Sequence, residues 1–150
     1  MLNGEKYEYQ TNSSFLDYEF MSIGKKGNIK KVARFNLIQD NLFNFGFGDL
    51  NESSGEISDT TISNNGDGDK VLITVATIIF EFTEYNKGAS VFIQGTTKAR
   101  TRRYQMGINK HWLQLKSIFT IWGLIEGSWE KFQKGRNYEA FIGTRKYIFR

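Results

Sequence analysis

The sequence predicts a single α+β domain spanning residues 1–150, with a mixed, mostly antiparallel sheet and two main helices. Three observations lead to this prediction. Aromatic and β-branched residues are concentrated in three segments of the first 50 residues, an apolar stripe with helical spacing crosses residues 69–85, and short apolar segments alternate with a basic helical one after it. A chain of 150 residues can bury a core without disulfides or metal ions.

A meander of four strands is predicted for the first 63 residues. Turn-forming residues separate the strands: Gly24 and Gly27 precede the second, and Gln39-Asp40-Asn41 favours a tight hairpin before the third. A turn-rich stretch at 51–55 precedes the fourth. The predicted strands cover residues 15–23, 28–38, 42–50 and 56–63.

A long helix at residues 69–85 has the most regular periodicity in the chain. Its apolar residues recur with the spacing of one helical face, which indicates a helix packed on the sheet. That stripe contains Val71, Leu72, Val75, Ile78, Ile79 and Phe82. The elements predicted after it are a strand at 89–94, a basic helix at 97–117 broken near Gly107, a strand at 118–125, a helical turn at 129–134 and a final strand at 138–148.

Composition removes several classes of enzyme chemistry. The chain has no cysteine and one histidine, which excludes a cysteine nucleophile, a thiolate zinc site and any cluster of imidazoles. The motifs of serine hydrolases, P-loop nucleotidases and zinc proteases are also missing, so no metal is expected. No apolar run has the length of a membrane span and the start has no export signal, which predicts a cytoplasmic location and no membrane partner.

Charge is distributed unevenly along the chain. Residues 98–150 hold 12 Lys and Arg against 3 Asp and Glu, a balance of +9, whereas residues 1–97 carry −5. This asymmetry favours an anionic partner for the second half, either nucleic acid or a phosphate-bearing small molecule, with a merely solvated surface as the alternative. On the basic helix Lys98 and Arg102 form one pair, and Arg100 and Arg103 form another that suits phosphate.

A glycine-containing turn, Ser63-Asn64-Asn65-Gly66-Asp67-Gly68, joins the fourth strand to the long helix. Together with the order four strands, helix, strand, helix, two strands, it resembles the acyl-CoA N-acyltransferases, the GNAT acetyltransferases. In that family a Q/R-x-x-G-x-G/A turn wraps the pyrophosphate of acetyl-CoA, since helix N-terminal amides point at the anion. Here Ser63 replaces the Gln or Arg, and Asp67 adds a negative charge. The resemblance covers residues 56–125 and implies an acyl-CoA N-acyltransferase-like topology.

The same resemblance implies the site residues. Residues 96–108 are similar to the family's N-x-x-A-x-x-L-Y-x-x-x-G-F helix through Ala99, Tyr104 and Gly107. The family's tyrosine often donates a proton to the departing CoA thiolate, so Tyr104 is the implied general acid, with a packing tyrosine as the alternative. Acetyl-CoA is the implied cofactor, bound by Asn65, Gly66, Asp67, Gly68 and Lys70. Arg100 and Arg103 add cations that suit its phosphates or an RNA backbone, with a solvated or ion-paired helix as the alternative.

The turn and the tyrosine are expected to share one cleft. A helix N-terminus leaves its first amides without acceptors, so the amides of residues 66–70 favour an anion there. The Asp67 carboxylate is the alternative acceptor, and it would fill the site from within.

The whole chain also resembles a family of uncharacterised bacterial proteins of similar length, a domain of unknown function. Three segments carry this likeness: Tyr18-Glu19-Phe20-Met21-Ser22-Ile23-Gly24, then residues 63–67 with Lys70-Val71-Leu72, and Gly95-Thr96-Thr97-Lys98-Ala99-Arg100-Thr101-Arg102. This family implies no activity.

Two hypotheses about function follow. The first is an acyltransferase-like domain of unknown substrate, active or degenerate, with a phosphate-binding turn at the start of its long helix. The second is a non-enzymatic basic module that binds RNA, DNA or a protein partner. The sequence leaves open whether the protein is an enzyme, and it does not predict an oligomeric state.

Overall fold

The computed structural model of the chain describes residues 2–58 and 65–146. Within them one sheet and three helices form a mixed, mostly antiparallel α+β structure, which confirms the predicted fold class. The strands are β1 (Gln10–Thr11), β2 (Asp17–Gly24), β3 (Gly27–Gln39), β4 (Leu42–Leu50), β5 (Ile57–Ser58), β6 (Ser90–Ile93), β7 (Phe119–Ile125), β8 (Ser128–Lys131) and β9 (Ala140–Arg145). The helices are α1 (Gly68–Tyr85), α2 (Lys98–Lys110) and α3 (Trp112–Ile118).

The strands lie in the order β1-β2-β3-β4-β6-β9-β7-β8, with β5 paired to the end of β4. Only the β4–β6 pair is parallel among the described strands, and it joins Leu42–Phe45 to Ser90–Ile93. A parallel pair needs a crossover connection, and α1 lies in the chain between these two strands. The last strand, β9, is inserted between β6 and β7. Beyond Phe45 the ladder between β4 and β6 ends.

Helix α1 packs its predicted apolar stripe on the sheet. Ile78 and Phe82 are fully buried, and the Phe82 ring stacks on Phe35 of β3 with 3.8 Å between ring centroids. Tyr18 and Phe20 of β2 complete this part of the core. Val75 of the stripe is also buried, and Val71, Leu72 and Ile79 are half-buried. Helix α1 is buried on more than the predicted face, since residues outside the stripe are buried too: Ile73, Thr74, Thr77 and Thr83. A second cluster, which includes Leu115, Phe119 and Phe141, lies under α3.

The predicted basic helix is two helices, so the expectation of two main helices is wrong. The break lies at His111 and not near Gly107. Gly107 stays inside α2, where a β carbon on it would lie 3.2 Å from a methyl group of Leu72, so its small size serves the packing of α2 on α1. His111 leaves the helical conformation at φ −107° and ψ 20° and begins α3.

The prediction of a helical turn at 129–134 is also wrong, because residues 128–131 form strand β8. Glu126 and Gly127 both have positive φ, 51° and 77°, which is the backbone of the tight turns that join hairpin strands. The turn pairs Ile125 with Ser128 and leads the chain back along β7. The short strand β1 has no periodic pattern and was not predicted.

The other predicted strands agree with the structure at their centres. The predicted strand at 56–63 corresponds to β5, and residues 59–63 lie outside the described residues. The final strand is shorter than the predicted 138–148, and residues 147–150 also lie outside the described range. Among the described helices, none has both the length and the apolar character needed to cross a bilayer.

Candidate functional site

A cleft of about 330 Å³ lies between the β3–β4 surface, the start of α1 and the side of α2. Six of the sequence-predicted site residues line it: Asn65, Asp67, Gly68, Arg100, Arg103 and Tyr104. Gly66 and Lys70 do not line it. The turn before α1 and the basic helix are far apart in the sequence, and the fold brings them to one place. The ligand-binding roles of these residues stay predictions.

Asn65 fixes the turn before α1 to the β2–β3 hairpin. Its side chain is buried, donates to the Gly27 carbonyl oxygen at 2.9 Å and accepts from the Lys26 amide at 2.6 Å. Its main-chain carbonyl accepts from the Lys25 amide at 3.1 Å. The side-chain amide of Asn65 therefore holds the turn in position, and its hydrogen bonds are made within the fold.

Asp67, which precedes the first turn of α1, does not cap the helix with its side chain. Its carboxylate oxygen Oδ2 instead accepts from the Tyr7 hydroxyl at 2.6 Å and from Ser22 Oγ at 2.5 Å. Burial, and then the hydrogen bond to Asp67, raise the pKa of Tyr7, so its hydroxyl stays protonated and donates. The predicted alternative, in which this carboxylate fills the helix terminus, does not occur.

Gly66 and Lys70 contribute to the turn in other ways. Gly66 has φ +80°, a conformation that glycine adopts without strain. The Lys70 ammonium lies 4.2 Å from the centre of the Tyr7 ring, a cation–π contact. This contact directs Lys70 toward the N-terminal segment and away from the cleft.

The start of α2 is fixed by local contacts that orient its arginines. Thr97 caps the helix by accepting from the Arg100 amide at 3.2 Å. Gly95 lets the chain pass closely, since a β carbon there would lie 2.4 Å from that of Arg100. Further along, the buried Gln105 accepts from the Tyr138 amide at 2.8 Å and so ties α2 to a neighbouring loop. The remaining face of the helix carries Arg100, Arg103 and Tyr104 into the cleft.

The floor of the cleft was missed by the sequence analysis. Lys31 of β3 and Asp49 of β4 form an ion pair there, and their side chains are only 9% and 17% exposed. They are cross-strand partners in the β3–β4 hairpin. A three-residue loop at 39–41 would set Lys31 opposite Asp49, so the predicted hairpin contains this pair. In the structure Gln39 pairs with Leu42, and a register shift between Leu37 and Gln39 gives the same pairing.

His111, the single histidine of the sequence, does not line this cleft. His111 Nε2 is 3.3 Å from Asp69 Oδ1, which also accepts from Lys110 Nζ at 2.9 Å. The hydrogen bond from Lys110, followed by that from His111, lowers the pKa of Asp69. In the described residues no group of three or more His, Cys, Asp or Glu side chains is placed to hold a metal ion.

Comparisons with known proteins identify a family but no function. No curated protein and no solved structure matches the chain. Residues 3–146 match a family of unknown function, DUF6934. This match covers nearly the whole chain and agrees with the sequence-based resemblance to an uncharacterised domain family. The chain therefore belongs to the family of unknown function DUF6934.

Proposed function

We propose that the cleft between α1 and α2 binds a phosphate-bearing small molecule of the acyl-CoA class, and that the protein is an acyltransferase-like domain. One observation carries the proposal. The glycine turn that opens α1 and the Arg100, Arg103 and Tyr104 side chains of α2 line a single cleft. A volume of about 330 Å³ is within the range of small-molecule sites.

The strand order supports an acyl-CoA N-acyltransferase-like topology. Strand β4 is followed along the chain by the glycine turn and α1, then by β6, which pairs with β4 in parallel, and then by the basic helix α2. This is the succession on which the family resemblance rests. Past Phe45 the β4–β6 ladder ends, and the next residues of β4, Phe47 to Asp49, line the cleft.

The charges around the cleft fit a phosphate group. Arginine forks bind phosphate through paired hydrogen bonds, and the α1 terminus adds backbone amides that the Asp67 side chain does not cap. Lys31 and Asp49 largely neutralise each other at the floor. The Asp67 carboxylate is the one acidic group at the turn, and its hydrogen bonds to Tyr7 and Ser22 disperse part of its charge.

The chemistry implied by the resemblance is acyl transfer. Acetyl-CoA would supply an acyl group activated as a thioester. Arg100 and Arg103 would hold its phosphates, and Tyr104 would keep a phenolic proton at the cleft wall for the departing thiolate. The Tyr104 ring packs edge-on against Phe45, with 6.3 Å between centroids, and this contact would fix the direction of its hydroxyl.

Calorimetric titration of the whole chain with acetyl-CoA tests the proposal. In the Arg100→Ala/Arg103→Ala double variant we expect affinity to fall at least tenfold, because each charged hydrogen bond contributes about 1.5 to 3 kcal/mol. The matched control is Lys98→Ala/Arg102→Ala, which removes two exposed cations of α2 that do not line the cleft. Its affinity should stay within about twofold of wild type, since screened surface charges contribute little. Equal affinities in the two double variants would reject the proposal.

The exposure of Lys98 and Arg102 favours a second candidate function, binding of nucleic acid along the outer face of α2. The same two double variants separate the candidates. If α2 binds single-stranded RNA, affinity measured by fluorescence anisotropy falls steeply with salt, and the Lys98→Ala/Arg102→Ala variant weakens it. If the cleft proposal is right, RNA affinity is weak and the arginine pair in the cleft controls acetyl-CoA binding.

A further inference from the structure

A second, apolar cavity of about 90 Å³ lies between α1, α2 and the sheet. Its walls come from side chains such as Val75 and Ile79 of α1, Ile108 of α2, and Val91 and Phe141 of the sheet. Apolar cavities of this kind do not hold water well, because water there has no hydrogen-bonding partners. The cavity is therefore suited to hydrocarbon.

The apolar cavity and the basic cleft are neighbours. Leu72 and Tyr104 line both of them, so these two side chains form the partition. On one side of the partition lie Arg100 and Arg103, and on the other side lies the apolar lining. A ligand that reaches across would meet cations at one end and hydrocarbon at the other.

Two small residues leave this space open. Ala76 of α1 and Gly107 of α2 both line the apolar cavity. Gly107 lies in the interior of a helix, where alanine is more favourable than glycine, and its φ is negative. A β carbon at this position would press on Leu72, at 3.2 Å. The glycine thus gives room to the side chain that separates the cavity from the cleft.

We propose, resting on the proposed function, that the ligand of the cleft carries a short unbranched acyl or alkyl chain, which enters this cavity past Leu72 and Tyr104. An apolar cavity of about 150 Å³ accommodates benzene, with six carbons. By that scale a cavity of about 90 Å³ holds roughly three to four carbons. The preferred ligand is then a phosphate-bearing molecule with a chain near the length of butyryl, longer than acetyl.

Titration calorimetry with CoA, butyryl-CoA and octanoyl-CoA tests this inference on the whole chain. Burial of each methylene strengthens binding roughly fourfold, so butyryl-CoA should bind more than tenfold tighter than CoA. Octanoyl-CoA should gain nothing further, because its chain exceeds the cavity.

Two variants narrow the cavity without touching the arginines. In Gly107→Ala and Ala76→Leu the advantage of butyryl-CoA over CoA should shrink at least fivefold, and the affinity for CoA itself should change far less, because neither residue lines the cleft. The melting temperatures of both variants are measured as well, because alanine at position 107 favours the helix while its β carbon would lie 3.2 Å from Leu72. A chain preference lost in a variant that melts cooperatively above the titration temperature does not come from unfolding.

The outcomes distinguish the two proposals. Equal affinities for CoA and butyryl-CoA in the wild type would overturn the inference and leave the proposed function standing. If no CoA compound binds, the proposed function fails, and n-butyl phosphate is compared with inorganic phosphate in the same three proteins. A preference for n-butyl phosphate that both variants abolish would still support the apolar site, and the absence of that preference would overturn it.

Discussion

Gly24 and Asn65 approach each other so closely that a β carbon on Gly24 would lie 1.9 Å from the Asn65 main-chain oxygen. Gly24 ends β2, and Asn65 stands in the turn before α1. The contact brings the hairpin between β2 and β3 against that turn, where Lys25 and Lys26 donate their amides to Asn65. The position of the turn before α1, which forms one wall of the candidate site, therefore depends on the absence of a side chain at Gly24 in β2.

The variant Gly24→Ala should destabilise the protein by at least about 2 kcal/mol, because the methyl group would overlap backbone that cannot move alone. Chemical denaturation followed by circular dichroism measures this loss. Gly68→Ala is the matched control, since a β carbon there meets no atom within 4 Å and the residue lies in the first turn of α1. Similar stabilities of the two variants would contradict the role of this contact.

The burial of the α1 stripe gives a second expectation. Ile78 is fully buried, so Ile78→Ala should cost about 2 to 5 kcal/mol through lost apolar burial and the cavity left behind. Leu113→Ala removes a side chain of similar size that is 73% exposed, and its free energy of unfolding should change by less than about 0.5 kcal/mol. Denaturant titration of both variants makes the comparison. A loss below about 1 kcal/mol for Ile78→Ala would show that α1 does not pack as described.

Elements with a regular apolar period were predictable, and those defined by contacts were not. The helix at 69–85 follows from its stripe alone, and it matches α1 within one residue. The break at His111 depends on where the chain leaves α2 to begin α3, and no local pattern marks it. Strand β8 depends on the Glu126-Gly127 turn, whose positive φ values indicate a hairpin that a periodicity search overlooks.

In the candidate site, too, some residues could be predicted from the sequence and others depend on contacts made in the folded structure. Arg100 and Arg103 were predicted from a residue type that suits phosphate, and Tyr104 from the family resemblance. The structure brings all three to one cleft, and their roles stay predictions. The ion pair of Lys31 and Asp49 needs the register of a hairpin, which the sequence contains but residue types alone do not reveal. The partners of Asp67 lie 60 and 45 residues away along the chain, so only the folded structure identifies them.

Tyr18 should make stability depend on alkaline pH. Burial, and then the charge of Glu81, raise the pKa of Tyr18, and burial raises that of Tyr9 to about 12. A tyrosine whose pKa is higher in the folded state contributes stability that is complete below its unfolded pKa of about 10. That contribution is lost as pH rises above this value, because the folded state then holds protons that the unfolded state releases.

Tyr18→Phe should therefore flatten the loss of stability above about pH 10. At neutral pH the variant should be as stable as wild type or more stable by up to about 1 kcal/mol, since the Tyr18 hydroxyl is buried and makes no hydrogen bond of ordinary geometry within the described residues. Urea denaturation at several pH values measures both effects. Tyr85→Phe, at a tyrosine that is 59% exposed, is the control and should follow the wild-type curve.

Asp67 should oppose the binding of anions in the cleft while it holds the turn in place. Its carboxylate lines the cleft and accepts from Tyr7 and Ser22. In Asp67→Asn the amide oxygen can still accept from both hydroxyls, so stability should fall by only about 1 kcal/mol, whereas Asp67→Ala leaves the buried Ser22 without this acceptor and should cost more.

Removal of one negative charge near a bound phosphate is worth on the order of 1 kcal/mol, so Asp67→Asn should bind acetyl-CoA roughly fivefold tighter. Calorimetric titration at low and high salt measures the gain in affinity, which should shrink at high salt because added ions screen the charge.

The matched control is Asp69→Asn, which removes an exposed carboxylate two residues further on that does not line the cleft. An equal gain in Asp69→Asn would mean that net charge alone strengthens binding, and unchanged affinity in Asp67→Asn would mean that the anion does not bind beside this turn.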